Sequence, residues 1–166
     1  MKISLVELEQ LSGEKIRVYS LIIDDEELTL FDQFLDENEK DFSTEIQYII
    51  DRIQIMAERT GVRDDFIKQG EGELGDGICA LYDKPESNLR LYFIRFGNVA
   101  IVLGGGGHKP KNIRRLQENS KLKDENYLLR RVSAALNEAV QHGSLFITDD
   151  GFESLTDFTY TIEEDE

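Results

Sequence analysis

The chain has one cysteine, two prolines and no long hydrophobic run among its 166 residues. A single thiol, Cys79, excludes an internal disulfide and a cysteine-based zinc cluster, and it is typical of a reducing compartment. The apolar runs are too short to span a bilayer. Scarce proline and a hydrophobic content of 40% favour a globular chain over a disordered one.

The amino-terminal stretch M-K-I-S-L-V-E-L-E-Q has no uninterrupted apolar core of the kind found in secretory signals. Acidic side chains break it at Glu7 and Glu9. Together with the lone cysteine, this pattern predicts a cytoplasmic protein with no membrane partner. The length favours a single domain over residues 1–166, which is large enough to bury a core.

Charge is strongly biased toward one sign. The formal net charge is −15, which taken alone argues against nucleic acid as a partner. Between Asn88 and Arg131, however, ten basic residues stand against three acidic ones, a local charge of +7, so the rest of the chain carries −22. We interpret this segment as a candidate anion-binding surface, with a solvated helix and loop of ordinary charge scatter as the simpler alternative.

Hydrophobic spacing in the first 60 residues predicts two strands followed by a helical hairpin. Residues 3–8 and 16–23 have strand-like composition and are separated by a turn at Ser12-Gly13. Apolar residues at helical spacing predict a first helix at about 27–38. A second helix is predicted from an N-cap at Ser43 to Gly61, antiparallel to the first.

Three further strand-like runs follow, at residues 78–82, 89–96 and 99–103. Both faces of the last two runs are largely apolar, which predicts central strands covered on two sides. The turn Phe96-Gly97-Asn98-Val99 indicates a two-residue hairpin. Counting outward from it places Gly104 opposite Leu91 and Gly105 opposite Arg90.

An amphipathic pattern near the carboxyl end predicts a long helix from a cap at Asp124 to Gly143. Short strands are predicted at 145–148 and 158–162, and residues 157–166 form an acidic tail. The glycine- and acid-rich stretch 70–77 is a connector, because it lacks the ligand spacing of a calcium-binding EF-hand. The predicted fold class is therefore α+β: a mostly antiparallel sheet with a helical hairpin and a long C-terminal helix.

The run L-G-G-G-G-H-K-P-K at residues 103–111 raises the question of a phosphate-binding loop. A Walker A motif needs Ser or Thr after its lysine, and Pro110 occupies that place. A dinucleotide fingerprint needs glycine where Lys109 stands, and it leads directly into a helix. We therefore interpret the glycines as the end of the central hairpin, and we predict no cofactor.

Cations are concentrated just after this glycine run. His108, Lys109 and Lys111 leave the strand, Arg114 and Arg115 follow, and Arg90 lies on the partner strand. Converging cations of this kind are typical of a phosphate-backbone site. The alternatives are that the lysines and arginines pair with the protein's own carboxylates, that His108 is an exposed loop residue, and that Tyr92 is a packed core aromatic.

The segment L-R-L-Y-F-I-R-F-G-N-V-A-I-V-L, residues 89–103, carries a resemblance to a known family. Preceded by strands and a helical hairpin and followed by a basic tract and a helix, it resembles the RelE/ParE superfamily of bacterial toxins. The nearest group is the phage-derived, HigB-type branch. The resemblance covers about residues 78–142, and it implies a RelE-like fold.

The resemblance implies a metal-independent endoribonuclease that cuts mRNA on the ribosome and is opposed by an antitoxin protein. In such enzymes Arg, Lys, His or Tyr side chains surround the scissile phosphate. It places Lys109 and Lys111 in the lysine-rich segment and Arg90 and Tyr92 on the preceding strand. Charge and position add the remaining candidates. The candidate catalytic residues are Lys109, Lys111, Tyr92 and His108, and the candidate RNA-binding residues are Arg90, Arg114 and Arg115.

The net charge of −15 departs from the family, whose ribosome-dependent members are usually basic. Two other functions therefore remain open from the sequence. One is a non-catalytic interaction protein of the same fold, whose acidic surface binds a basic partner. The other is a protein that binds a small anionic ligand at the glycine-rich edge.

Overall fold

The structure, a computed structural model, describes residues 1–63, 66–68, 77–81, 87–109, 120–155 and 157–163. The helices are α1 (Leu30–Asn38), α2 (Ser43–Ile55) and α3 (Ser120–Gln141). The strands are β1 (Lys2–Glu7), β2 (Arg17–Ile23), β3 (Ile67–Lys68), β4 (Ile78–Leu81), β5 (Leu89–Phe96), β6 (Ala100–His108), β7 (Leu145–Thr148), β8 (Gly151–Ser154) and β9 (Thr159–Thr161). The predicted connector, apart from Gly77, and residues 164–166 of the predicted tail lie outside the described residues.

Seven strands form one sheet in the order β3-β4-β5-β6-β2-β1-β9, and β7 and β8 form a separate hairpin. Every neighbouring pair in the sheet is antiparallel except β2 and β6. The predicted α+β class, the mostly antiparallel sheet and the long C-terminal helix are confirmed. Among the described residues, no helix has both the length and the apolar character required to cross a membrane.

Both faces of the sheet are covered, as the apolar runs predict. One buried cluster joins β4, β5 and β6 to α1 and α2 through residues such as Phe34, Ile53 and Phe93. The other cluster joins the opposite face to α3 and the β7–β8 hairpin through residues such as Ile94 and Leu136. Because alternate residues of a strand point to opposite faces, β5 contributes to both clusters, with Phe93 on the α1–α2 face and Ile94 on the α3 face.

The two N-terminal helices occur where the spacing predicts them, but their caps differ. Thr29 caps α1, since its hydroxyl oxygen accepts a hydrogen bond from the Asp32 backbone N–H at 3.1 Å. The prediction of Ser43 as the cap of α2 is wrong: Ser43 is already helical, and Phe42 takes the cap position without a capping side chain. The last turn before Gly61 widens into a π-helix over residues 56–60.

The predicted register of the central hairpin is wrong by one residue near the turn. Phe96 pairs with Ala100, so the loop has three residues rather than two. Gly97 has φ +57°, whereas Asn98 does not take the positive φ that a two-residue type I′ turn requires at both positions. Further along, the register shifts at a bulge, and Leu91 faces Gly106.

Strand β6 also continues through the whole glycine run to His108. The prediction that the strand ends at these glycines is therefore wrong. They are buried within a central strand, where β5 bonds one edge of β6 and α1 lies beside it. Similarly, Asp124 does not begin α3, since the described helix already includes Ser120. Leu122 is buried and extends the apolar stripe one turn toward the amino end.

The β7–β8 hairpin is attached to the α3 face of the sheet through Tyr19. The Tyr19 hydroxyl accepts a hydrogen bond from the Phe152 backbone N–H at 2.9 Å, and the two rings meet edge to face with centroids 4.9 Å apart. Burial raises the pKa of Tyr19 because it disfavours the phenolate. The sequence predicts β7 but not β8.

Candidate functional site

The glycine run makes room for helix α3. A Cβ atom built on Gly104 would lie 2.9 Å from the Leu129 side chain, and one on Gly107 would lie 3.2 Å from the Lys121 side chain. A Cβ on Gly105 would collide with the Glu125 carboxylate. The absence of side chains on the strand thus allows the first half of α3 to pack directly on its backbone.

An ion-pair bridge closes this contact. The Lys121 ammonium lies 2.7 Å from a Glu125 carboxylate oxygen on α3 and 3.4 Å from Glu37 on α1. Burial lowers the pKa of Lys121, but the hydrogen bond to Glu125 and the charges of Glu125 and Glu37 outweigh it, so the pKa is raised overall. The bridge links the helices on either side of β6, which makes the glycine run a packing surface.

Beside this contact, α3 and β5 enclose a cationic groove of about 390 Å³. Its described lining consists of Arg90, Tyr92, Leu122, Lys123, Asn126, Tyr127 and Arg130. Arg90 and Tyr92 are two residues apart on β5 and therefore face the same side, toward α3. Lys123, Tyr127 and Arg130 follow one another at helical spacing of four and three residues, which places them along one side of α3.

The described residues that line the groove carry only positive charges. Arg90, Lys123 and Arg130 supply three cations, and no carboxylate lies among them. Tyr127 is 49% exposed and presents an aromatic face at the rim, while Tyr92 is 4% exposed and forms the base. The arrangement can bind a phosphate between guanidinium and ammonium groups and stack a planar group on the outer ring.

The structure separates His108 from Arg90. In an antiparallel pair, residues directly opposite each other share a face of the sheet. His108 is opposite Leu89, and Arg90 is opposite Gly107. Leu89 belongs to the α1–α2 face, and the His108 ring accordingly stacks on Phe42 with centroids 5.5 Å apart.

Lys109 is not presented to solvent at the strand end. Its side chain is 5% exposed, its ammonium lies 2.9 Å from the Ser87 hydroxyl, and its backbone N–H donates to the Asn88 carbonyl oxygen at 2.6 Å. These contacts hold the start of β5 to the end of β6. Lys111, Arg114 and Arg115 lie outside the described residues.

Of the seven candidate residues, the structure brings together Arg90 and Tyr92, turns His108 to the opposite face of the sheet and buries Lys109 against Ser87. Sequence reasoning missed Lys123, Asn126, Tyr127 and Arg130 as partners of that pair. Their spacing along one side of the predicted C-terminal helix is the signal that could have found them.

No three His, Cys, Asp or Glu side chains cluster as metal ligands would within the described part of the chain. Comparison of the chain with protein-family models, curated proteins and solved structures finds no match to any of them. The function of the groove is therefore inferred from the chemistry of its own residues.

Proposed function

We propose that the protein binds single-stranded RNA through the groove between β5 and α3, as a RelE/HigB-type toxin-like component of a bacterial toxin–antitoxin system. The observation that carries the proposal is the convergence of Arg90, Lys123 and Arg130 around two tyrosines. Two residues of the groove, Arg90 and Tyr92, are among the four that the family resemblance carries over, and it places them on the strand before the turn.

The chemistry of the groove favours a single strand over a duplex. A volume of about 390 Å³ accommodates one nucleotide unit rather than a stacked base pair and its backbone. Arginine forks bind phosphate oxygens in pairs, and the exposed ring of Tyr127 offers a stacking surface to any base. Contacts of this type give affinity with little sequence preference.

The order of elements also supports the proposal. Two strands, two helices, four antiparallel strands and a helix follow one another, and the resemblance implies the same order apart from the two-residue strand β3. The large net charge opposes it, because acidic surface repels a polyanion at long range. The groove is cationic only locally, so the acidic remainder of the surface still repels RNA that approaches it. We therefore expect binding to be weak even at low salt and to fall steeply as salt rises.

The proposed toxin function is tested by expression in bacteria. We expect wild-type protein to arrest growth and to cause mRNA cleavage in a translating extract, because the groove would hold the scissile phosphate. Arg90→Gln with Arg130→Gln should relieve the arrest. Arg95→Gln with Arg59→Gln is the matched control, since both lie outside the groove and the change in net charge is the same.

Two outcomes would contradict this function. One is normal growth and intact mRNA with soluble wild-type protein. The other is relief by His108→Ala but not by the groove variant, which would move the chemistry to the strand end on the opposite face. RNA binding without growth arrest would retain the groove as a binding site and exclude the toxin.

A second candidate function, that of an acidic interaction protein, is favoured by the β7–β8 hairpin. Phe146 and Ile147 are each 40% exposed and Leu155 is 76% exposed, although all three are large and apolar. Phe146 lies directly opposite the exposed Glu153 across the hairpin, and the exposed acids Asp149, Asp150 and Asp157 are nearby in the sequence. Apolar side chains rimmed by carboxylates suit a partner segment that alternates basic and apolar residues.

This hairpin surface predicts a specific loss of partner binding. Phe146→Ser should weaken binding to a basic amphipathic partner by at least about tenfold, since it removes a large exposed apolar side chain from the face of the hairpin that carries Glu153. Far-ultraviolet circular dichroism checks that the fold survives. Surface plasmon resonance against a panel of basic amphipathic peptides measures the effect. Equal binding by variant and wild type would contradict the assignment of this surface.

A further inference from the structure

A cavity larger than the cationic groove lies on the other face of the sheet. It has a volume of about 580 Å³ and lies between the first turns of α2 and the adjoining ends of β4 and β5. Ile49, Leu81 and Leu89 form an apolar floor, and all three are buried. A volume of this size lies within the range of about 300–1,000 Å³ that is typical of small-molecule sites.

Two aromatic side chains form walls of this cavity, and each is supported from behind. Phe42 is stacked on the His108 ring at an interplanar angle of 14°. Tyr48 is backed by Arg52, whose guanidinium lies 4.3 Å from the ring centroid and donates to the Tyr48 hydroxyl at 2.8 Å. Supported rings of this kind lose little conformational freedom when a flat ligand binds against them.

The polar groups of the cavity determine which ligand charge it favours. Glu45 is already occupied, because its carboxylate accepts hydrogen bonds from the Asn88 and Leu89 backbone N–H groups at 2.9 and 2.8 Å and from the Asn88 side chain at 3.2 Å. Asp41 stands exposed at the rim. Lys109 and Arg52 contact the lining residues Ser87 and Tyr48, but the charged groups of the described lining itself are carboxylates. The exposed Asp41 and the hydroxyl groups at the rim therefore favour donors over anions.

We propose that this cavity is a second binding site, which takes a flat aromatic molecule bearing an uncharged or cationic N–H donor group. The ring occupies the space between Phe42 and Tyr48 above the apolar floor. Its donor group faces the rim, where Asp41 and the hydroxyl groups of Ser43 and Thr44 accept hydrogen bonds. The cavity and the cationic groove lie on different faces of the sheet and differ in charge and in proposed ligand. An experiment that rejects one of the two sites therefore leaves the other unaffected.

Three probes of one shape and different charge test the chemistry: benzamide, benzamidine and benzoate. We expect saturation-transfer NMR to detect benzamide and benzamidine at millimolar concentration, with benzoate about fivefold weaker than benzamide because of the rim carboxylate. Asp41→Asn should remove the difference between benzamide and benzoate. Preferred binding of benzoate, or no signal from any of the three, would overturn the proposal.

The location is tested by a substitution that blocks the entrance. Thr44 lines the cavity from an exposed position of α2, so Thr44→Trp fills the entrance without disturbing the core, and it should lower benzamidine affinity at least about tenfold. Gln47→Trp is the control, since Gln47 is exposed on the same helix outside the cavity. Equal benzamidine binding by the two variants would place the ligand elsewhere and overturn the proposal.

Discussion

Gly106→Ala should destabilise the protein by about 3 kcal/mol, at the upper end of the range for overpacked cores. A Cβ atom at this position would overlap the carbonyl oxygen of Arg90 and lie 2.9 Å from its carbonyl carbon. These are backbone atoms of a paired central strand, so they cannot move aside as a flexible side chain does. For a domain of this length, the expected fall in melting temperature is about 6–12 °C.

Gly107→Ala is the matched control in the same strand. Its Cβ would meet the Lys121 side chain at 3.2 Å and make an ordinary contact with Leu122 at 3.9 Å, and the long lysine stem can shift by a few tenths of an ångström. We expect a change within about 1 kcal/mol, measured by urea denaturation of both variants. Equal stability of the two would show that the strands do not approach as closely at Gly106 as the structure has them.

Arg90→Gln combined with Arg130→Gln should lower the affinity for a single-stranded oligoribonucleotide about 100-fold. Each arginine is expected to donate a charge-assisted hydrogen bond to phosphate, and such bonds contribute about 1.5–3 kcal/mol. The salt dependence should change as well. Removing two phosphate contacts lowers the slope of log affinity against log salt concentration by about 1.4.

The control for this variant is again Arg95→Gln with Arg59→Gln, which makes the net charge equally more negative. Arg95 is on the same strand as Arg90, but its guanidinium bonds to the turn at the Gly97 carbonyl oxygen and the Asn98 side chain. Fluorescence anisotropy at several salt concentrations measures both pairs. An equal loss of affinity in both variants would mean that net charge, and not the groove, governs binding.

The fold could be predicted largely from apolar periodicity. The runs at 89–96 and 99–103 are largely apolar on both faces, and strands with this pattern have to be buried between layers. The register could not be predicted, because the turn signal at Gly97-Asn98 fits a two-residue and a three-residue loop equally well. The pairing of the strands within the packed sheet selects the three-residue loop, with Phe96 opposite Ala100.

The glycine run shows why local signals were insufficient for the site. Glycine is unfavourable in strands, so four in succession indicate the end of a strand when neighbours are unknown. The close approach of Leu129 and Glu125 from α3 overrides that preference, because the helix packs where side chains are missing. Because β6 extends to His108, the alternation of side chains along the strands places His108 and Arg90 on opposite faces of the sheet. The cluster predicted at the strand end is therefore split between the two faces.

The most direct measurement is a titration of isotope-labelled protein with a short single-stranded oligoribonucleotide, followed by amide and side-chain NMR shifts. We predict that the shifts concentrate at Arg90, Tyr92, Tyr127 and Arg130 and that they disappear as salt is raised. Resonances of Phe42 and Tyr48, on the opposite face, should stay in place. Shifts confined to the Phe42 face, or no shifts at any salt concentration, would contradict RNA binding in the groove between β5 and α3.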